Sequence, residues 1–228
     1  MSAPALDAAK VTVDIWSDVM CPWCVIGYKQ LQKGLELLEG KIEAEVRWHA
    51  FELNPDMPPE GEESQAHIQR KYGRTPEQAA AGRSQMREIA ERAGYSFAYT
   101  GPEPEPAARL WNTFVTHKLL TWALETAGPE AQTRLKLALF DAHFQERRNV
   151  SDAAVLVDVA RSVGLEPDAA ALDDPALGDK VRAEEQAAWD MNVSGVPAMV
   201  LNGKFMIPGA QEPEVYANAL RRVVARGI

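Results

Sequence analysis

The sequence predicts an α/β domain interrupted by a large all-helical domain. Three observations lead there. Near the N-terminus a strand-like run enters a Cys-x-x-Cys motif that opens a helix. Residues 64–173 carry helical patterning and no convincing strand. Near the C-terminus two short apolar runs flank Asn202-Gly203, the strongest short hairpin signal. The order β-α-β, about five helices, then α-β-β-α puts part of one sheet at each end of the chain. The expected boundaries are 11–58 for the first half of the α/β domain, 59–177 for the helical insertion and 178–228 for the second half.

Each element has a local reason. "VTVDIWS" (11–17) is β-branched and aromatic and reads as a strand. After Pro22, Ile26, Leu31, Leu35 and Leu38 recur at near-helical spacing, with Gly40 as the expected stop. "KIEAEVRWHAFEL" (41–53) reads as a second strand and runs into the Pro- and acid-rich loop "NPDMPPEGEE". Five helical patterns follow, over residues 65–73, 75–94, 107–128, 129–149 and 151–164. Thr75 with Pro76, and Ser151 with Asp152, suit N-caps, while Gly94, Gly128 and Gly164 suit left-handed C-caps. "GPEPEPA" (101–107) is a stiff linker, and residues 178–193 form one more helix. A closing helix over 212–227 turns Val215, Leu220, Val223 and Val224 toward the core.

With 46% hydrophobic and 25% charged residues among 228, the composition is that of an ordinary globular protein. A formal net charge of −9 argues against nucleic-acid and anionic-membrane partners. No apolar run approaches the ~18 residues of a membrane span. "MSAPALDAAK" has no basic region followed by an apolar one, so the expected location is cytoplasmic. Cytosolic thiols are kept reduced, which leaves room for a transient, catalytic disulfide rather than a structural one.

Cys21 and Cys24 are the only cysteines, three positions apart at a helix start. That spacing lets the sulfurs meet without large backbone movement. The helix N-terminus favours an anion, so the first cysteine is expected to have a lowered pKa and to serve as nucleophile for disulfide exchange. On this geometry Cys21, at the exposed end, attacks, and Cys24, one turn in, resolves the mixed disulfide. Pro22 suits a first helical turn, and Trp23 covers the pair or offers a flat face to substrate. Zinc usually needs four ligands, the chain lacks a second Cys pair, and His49, His67, His117 and His143 show no H-x3–5-H spacing. No metal is expected. An inert buried cysteine pair would not need a helix start after a strand.

"SDVMCPWCVIG" followed far downstream by "VSGVPAMVLNGKFMIPGAQ" resembles the thioredoxin superfamily, in its DsbA-like branch with a helical insertion. With "WHAFELNPDMP", "NTFVTHKL" and "LFDAHF", the chain looks like the FrnE subgroup of cytosolic disulfide oxidoreductases. The resemblance implies a thioredoxin fold whose insertion lies between the second strand and the cis-proline half. It implies that Pro197 is cis and that Val196-Pro197 lies against Cys21 and Cys24. It offers Asp14 as a proton shuttle, one position off the commonest spacing, and matches Asp18 to the subgroup's "SD". A surface-facing Asp14 at the sheet edge is the competing reading. Asn112 and His117 match a subgroup motif on an inserted helix facing the cysteines, against the alternative that His117 caps a packed helix face. Phe51, Leu53, Asn54 and Pro55 would shape the groove. Trp111, Phe114, Trp122, Phe140 and Phe144 read as core.

The expected function is thiol–disulfide oxidoreduction or isomerisation of protein or small-molecule disulfides through Cys21-Pro22-Trp23-Cys24. Glutathione or a thioredoxin system is the expected thiol partner, with glutathione as redox partner or co-substrate and no cofactor bound. Some FrnE-like proteins carry a second cysteine pair, and this chain has none, so exchange must be direct. A glutathione-dependent enzyme like the kappa-class transferases or 2-hydroxychromene-2-carboxylate isomerases is the alternative. Those enzymes present serine where Cys21 stands. A redox-regulated chaperone-like protein is a third reading. The chain is expected to be a monomer or homodimer.

Overall fold

The computed structural model describes residues 8–227. Strand β1 (Ala9–Ser17) leads into helix α1 (Pro22–Glu36), and strand β2 (Ile42–Ala50) returns parallel to β1. At the other end of the chain, β5 (Ala198–Leu201) and β6 (Phe205–Pro208) form the hairpin expected around Asn202-Gly203, both with positive φ. The sheet order is β2-β1-β5-β6, with β5 antiparallel to β1 and to β6. This is the thioredoxin arrangement. The hairpin tip is fixed to the first strand, since Thr12 N–H donates to Asn202 Oδ1 at 2.8 Å.

The alternation of β1 puts Val11, Val13 and Ile15 into the main core with α1 and with α7 (Pro213–Arg226). Trp16 points the other way, into a second cluster with Ala188 of α6 (Pro175–Asp190). Gly34 lets α1 and α7 touch, because a Cβ there would lie 2.8 Å from Pro213 O and 2.9 Å from Tyr216 Cβ.

The insertion holds β3 (Glu62–Glu63), α2 (Ser64–Tyr72), α3 (Pro76–Ala93), β4 (Arg109–Leu110), α4 (Phe114–Phe144) and α5 (Ala153–Ser162). Thr75 and Gln78 make the capping box of α3, and Asp152 caps α5. The long α4 breaks at Gly128 (φ 83, ψ 178), where two separate helices were expected. It also closes one edge of the sheet. Gln132, fully buried, accepts from Trp48 N–H at 2.9 Å and donates to Trp48 O at 2.8 Å, doing what another strand would do.

Several expectations are corrected. Residues 107–113 are not helical; Arg109–Leu110 instead pairs with Glu62–Glu63, because a short bridge satisfies backbone that the preceding proline-rich linker cannot turn into a helix. Helix α1 ends at Glu36 rather than running to Gly40, and a turn through Leu37–Gly40 closes it. Helix α6 starts at Pro175, where Asp174 accepts from Ala176 N–H. On α7 the core face is Tyr216, Ala217, Leu220 and Val223, while Val215 and Val224 are exposed.

His49 of β2 joins three elements. Its Nε2 lies 3.0 Å from Asp14 of β1 and its Nδ1 3.0 Å from Glu184 of α6. Burial alone would lower its pKa, but the two carboxylates outweigh burial and raise it to about 9. A folded pKa above the unfolded one gives stability that is complete below about 6.5 and lost as pH climbs through about 9. The expected contribution is of order 2–3 kcal/mol. Denaturant titrations at neutral pH and above pH 9.5 should show the wild-type advantage over His49→Gln shrinking in the alkaline range. A constant gap would disprove this account.

Candidate active site

Strand β1 delivers the chain to a tight turn, in which Cys21 N–H donates to Asp18 O at 3.1 Å. Cys21 is the N-cap of α1, with extended backbone (φ −91, ψ 109), and Pro22 opens the helix. Cys24 N–H donates to Cys21 O at 3.1 Å. Both cysteines are free thiols. The expected exposure of Cys21 needs correction, since it is only 4% exposed and Cys24 is fully buried. The two still differ in access. Cys21 forms part of the wall of a cavity of about 730 Å³, together with Trp23, Leu53, Met86, Trp111 and Phe144, and Cys24 does not.

Val196 and Pro197 are brought to the same place. The Val196–Pro197 bond is cis, and the Cys21 thiol donates to Val196 O at 3.4 Å. Gly27 makes this approach possible, because a Cβ there would sit 3.1 Å from Pro197 Cγ. Pro22, Trp23 and Val196 all line the cavity, with Trp23 39% exposed.

Beneath the cysteines lies a buried polar group of three. Asp18, 1% exposed, accepts from Met20 N–H at 3.1 Å and from Leu53 N–H at 2.8 Å. Burial raises its pKa against the pull of those bonds. His117 Nε2, without a hydrogen-bond partner, lies 4.0 Å from Asp18 Oδ1. Burial, then the nearby Lys136 charge, lowers His117 well below its usual value, so the ring is neutral. Lys136 of α4 is fully buried, its Nζ without a hydrogen-bond partner, 5.4 Å above the Trp48 ring and 5.2 Å above Phe140. Burial brings it down to about 8 against the opposing pull of Cys24, Asp18 and Cys21.

The two sulfurs titrate as a unit. Cys21 is pushed up, first by the Cys24 sulfur that competes for the same proton and then by burial. Burial also acts on Cys24, but the Cys21 thiol, then the Ser17 hydroxyl and the Lys136 ammonium, outweigh it and hold Cys24 low. The helix-start argument placed the lowered pKa on Cys21. In this dithiol arrangement the favoured thiolate is at Cys24, because Lys136 and the Cys21 proton both stabilise it there.

The other expected residues fall outside the sulfur cluster. Asp14 is not at a sheet edge and does not reach the sulfurs; β1 is a central strand, and Asp14 binds His49 on its far face. Asp18 takes the place of the buried acid. Asn112 precedes α4, where it accepts from Phe114 N–H and donates to Pro55 O at 3.1 Å. Leu53 and Asn54 line the cavity, whereas Phe51 packs on α6. Trp111 and Phe144, read as core, form part of the cavity wall. Lys136 escaped the sequence reading. Its only signal is a charged residue within the apolar run of "LKLALF".

A profile of the DSBA-like thioredoxin domain matches residues 12–221. A probable DsbA oxidoreductase from Streptomyces coelicolor is 32% identical, with a TM-score of 0.82 over 94% of this chain and 90% of that one. The uncharacterized protein YwbO of Bacillus subtilis is 28% identical over 92% of this chain and 96% of its own length. The cytosolic disulfide reductase DsbM of Pseudomonas aeruginosa, whose structure is described with GSH, shares the fold at 17% identity, with a TM-score of 0.63 over 94% of this chain and 99% of that one.

Proposed function

On the premise that the chain belongs to the DSBA-like thioredoxin domain family, we propose that it is a thiol–disulfide oxidoreductase of the FrnE type, working through Cys21 and Cys24. The observation that carries this reading is Cys21 Sγ, which ends a helix N-terminus at a cavity wall, 3.4 Å from Val196 O. Passing the shared proton to Cys24 makes Cys21 the thiolate. Cys21 then attacks the substrate disulfide, and its half-product leaves. Cys24 gives its proton to that departing thiolate, attacks Cys21 Sγ and releases the second half. Lys136 and Asp18 bias these steps, since the Lys136 charge acts on both sulfurs and the Asp18 charge on Cys21. Val196, beside the nucleophile, supplies backbone for substrate contact.

A thiol such as glutathione returns the pair to the dithiol, and the cytosolic reductase DsbM, described with GSH, supports that partner and a cytoplasmic setting. Incubation in graded glutathione buffers, read by alkylation and intact mass, should show the pair closing reversibly, with intermediates bearing one glutathione. A midpoint near −270 mV would make the protein a reductant, and one near −120 to −180 mV an oxidant or isomerase. A pair that never closes while glutathione stays bound intact would replace this reading with the transferase one.

A further inference from the structure

The cavity in front of Cys21 is lined by five arginines and by no carboxylate side chain, in a chain with a formal net charge of −9. Two of them are engaged already. Arg109 donates to Glu60 O at 2.7 Å and lies over Trp111. Arg147 pairs with Glu105 at 2.8 Å. Arg74, Arg83 and Arg87 have no hydrogen bond or ion pair among the described residues. Arg83 and Arg87 are one helical turn apart on α3 and share a face. Arg74 reaches across the same helix, its Nη1 3.4 Å from where a Cβ on Gly82 would stand. An anion in the cavity would satisfy these guanidinium forks, which no carboxylate of the wall does.

The rest of the wall is apolar and aromatic, with Met86, Phe97, Trp111 and Phe144. His143, also on the wall, is 6% exposed, is held neutral by burial and leaves Nδ1 without a partner. The cavity, at about 730 Å³, has the size of a site for one small molecule.

We propose that the α3 side of this cavity binds the carboxylate end of a low-molecular-weight disulfide with an apolar body, presenting its sulfurs to Cys21. This rests on the reading of Cys21 and Cys24 as a redox pair. In the reaction, Cys21 forms a bond to one ligand sulfur as the ligand S–S bond breaks. Cys24 then forms the protein disulfide and expels the second ligand thiol. The dithiol supplies two electrons and two protons, and the ligand leaves as two thiols.

The test uses two aromatic disulfides on the reduced full-length protein. Dithiobis(nitrobenzoate) carries a carboxylate on each half, and dithiodipyridine is neutral. In Arg83→Gln/Arg87→Gln the half-saturating concentration of the carboxylate reagent should rise about ten-fold, the worth of ~1.4 kcal/mol or one charge-assisted hydrogen bond. The limiting rate, and the whole reaction with the neutral reagent, should stay unchanged. Arg222→Gln/Arg226→Gln, the same loss of two charges on α7, should behave as wild type. Added salt should weaken only the carboxylate reagent. Equal losses with both reagents, or none with either, would overturn the proposal while leaving the redox pair standing. Failure of either reagent to oxidise the wild-type pair would instead overturn the redox reading.

Discussion

Cys24→Ser should accumulate a mixed disulfide on Cys21, visible as a substrate adduct in intact mass, and Cys21→Ser should lose turnover by ~10³-fold or more. The asymmetry follows from access. Cys21 meets the cavity and Cys24 does not, so only Cys21 can receive a bulky disulfide. Cys24 lies one turn along the same helix, placed to attack Cys21 Sγ and nothing else. Serine keeps the size of each side chain close to native, and an unchanged thermal midpoint in both variants would show that chemistry alone was removed. Turnover preserved in Cys21→Ser would end the oxidoreductase reading. Glutathione-dependent turnover preserved in Cys24→Ser would favour the transferase-like one.

Lys136→Met should move the first ionisation of the thiol pair up by about one to two pH units, slowing exchange at neutral pH ~10–100-fold. Lys136 is the positive charge buried with the sulfurs, and it lowers the thiolate at Cys24 directly. Its own pKa of about 8 means that this help is greatest below that pH and fades as the ammonium is lost. Methionine fills the same space between Trp48 and Phe140, and replacing a buried charge with an apolar side chain costs little stability or none. The readout is thiolate absorbance against pH, which a purely packing role would leave in place. An unshifted titration in a folded variant would make Lys136 a spacer between two rings.

The Cys-x-x-Cys motif was legible because it is local. Cys21, Pro22 and Cys24 follow a strand and begin a helix, and neighbours in sequence settle both facts. The Asn202-Gly203 turn was legible for the same reason, since both residues need positive φ and little else decides the hairpin. Asp14 and Asp18 could not be ranked, because four residues apart they would share one face of a strand, and only the end of β1 at Ser17 puts Asp18 in the turn under the cysteines. Lys136 was hidden by a rule that usually holds: charged positions on a helix face water. Helix α4 is covered on many sides, with Thr116 through Thr121 all buried, so a lysine can lie inside it. The arginines of α3 look like any solvated helical face until the fold sets them opposite Cys21.

The pairing of Val13 with Leu201 joins the two ends of the chain. On a ribosome adding 5–20 residues per second, the ~180 residues between Cys24 and Leu201 take roughly 10–35 s to make. During that interval no β5 lies beside β1 and no Val196 carbonyl faces Cys21. For the first part of it, Lys136 has not been synthesised either. The nascent cysteines therefore lack two of their neighbours, first Lys136 and then Val196, until those residues have been made. A cell carrying this protein through oxidative stress would therefore find newly made chains more easily derailed than finished ones.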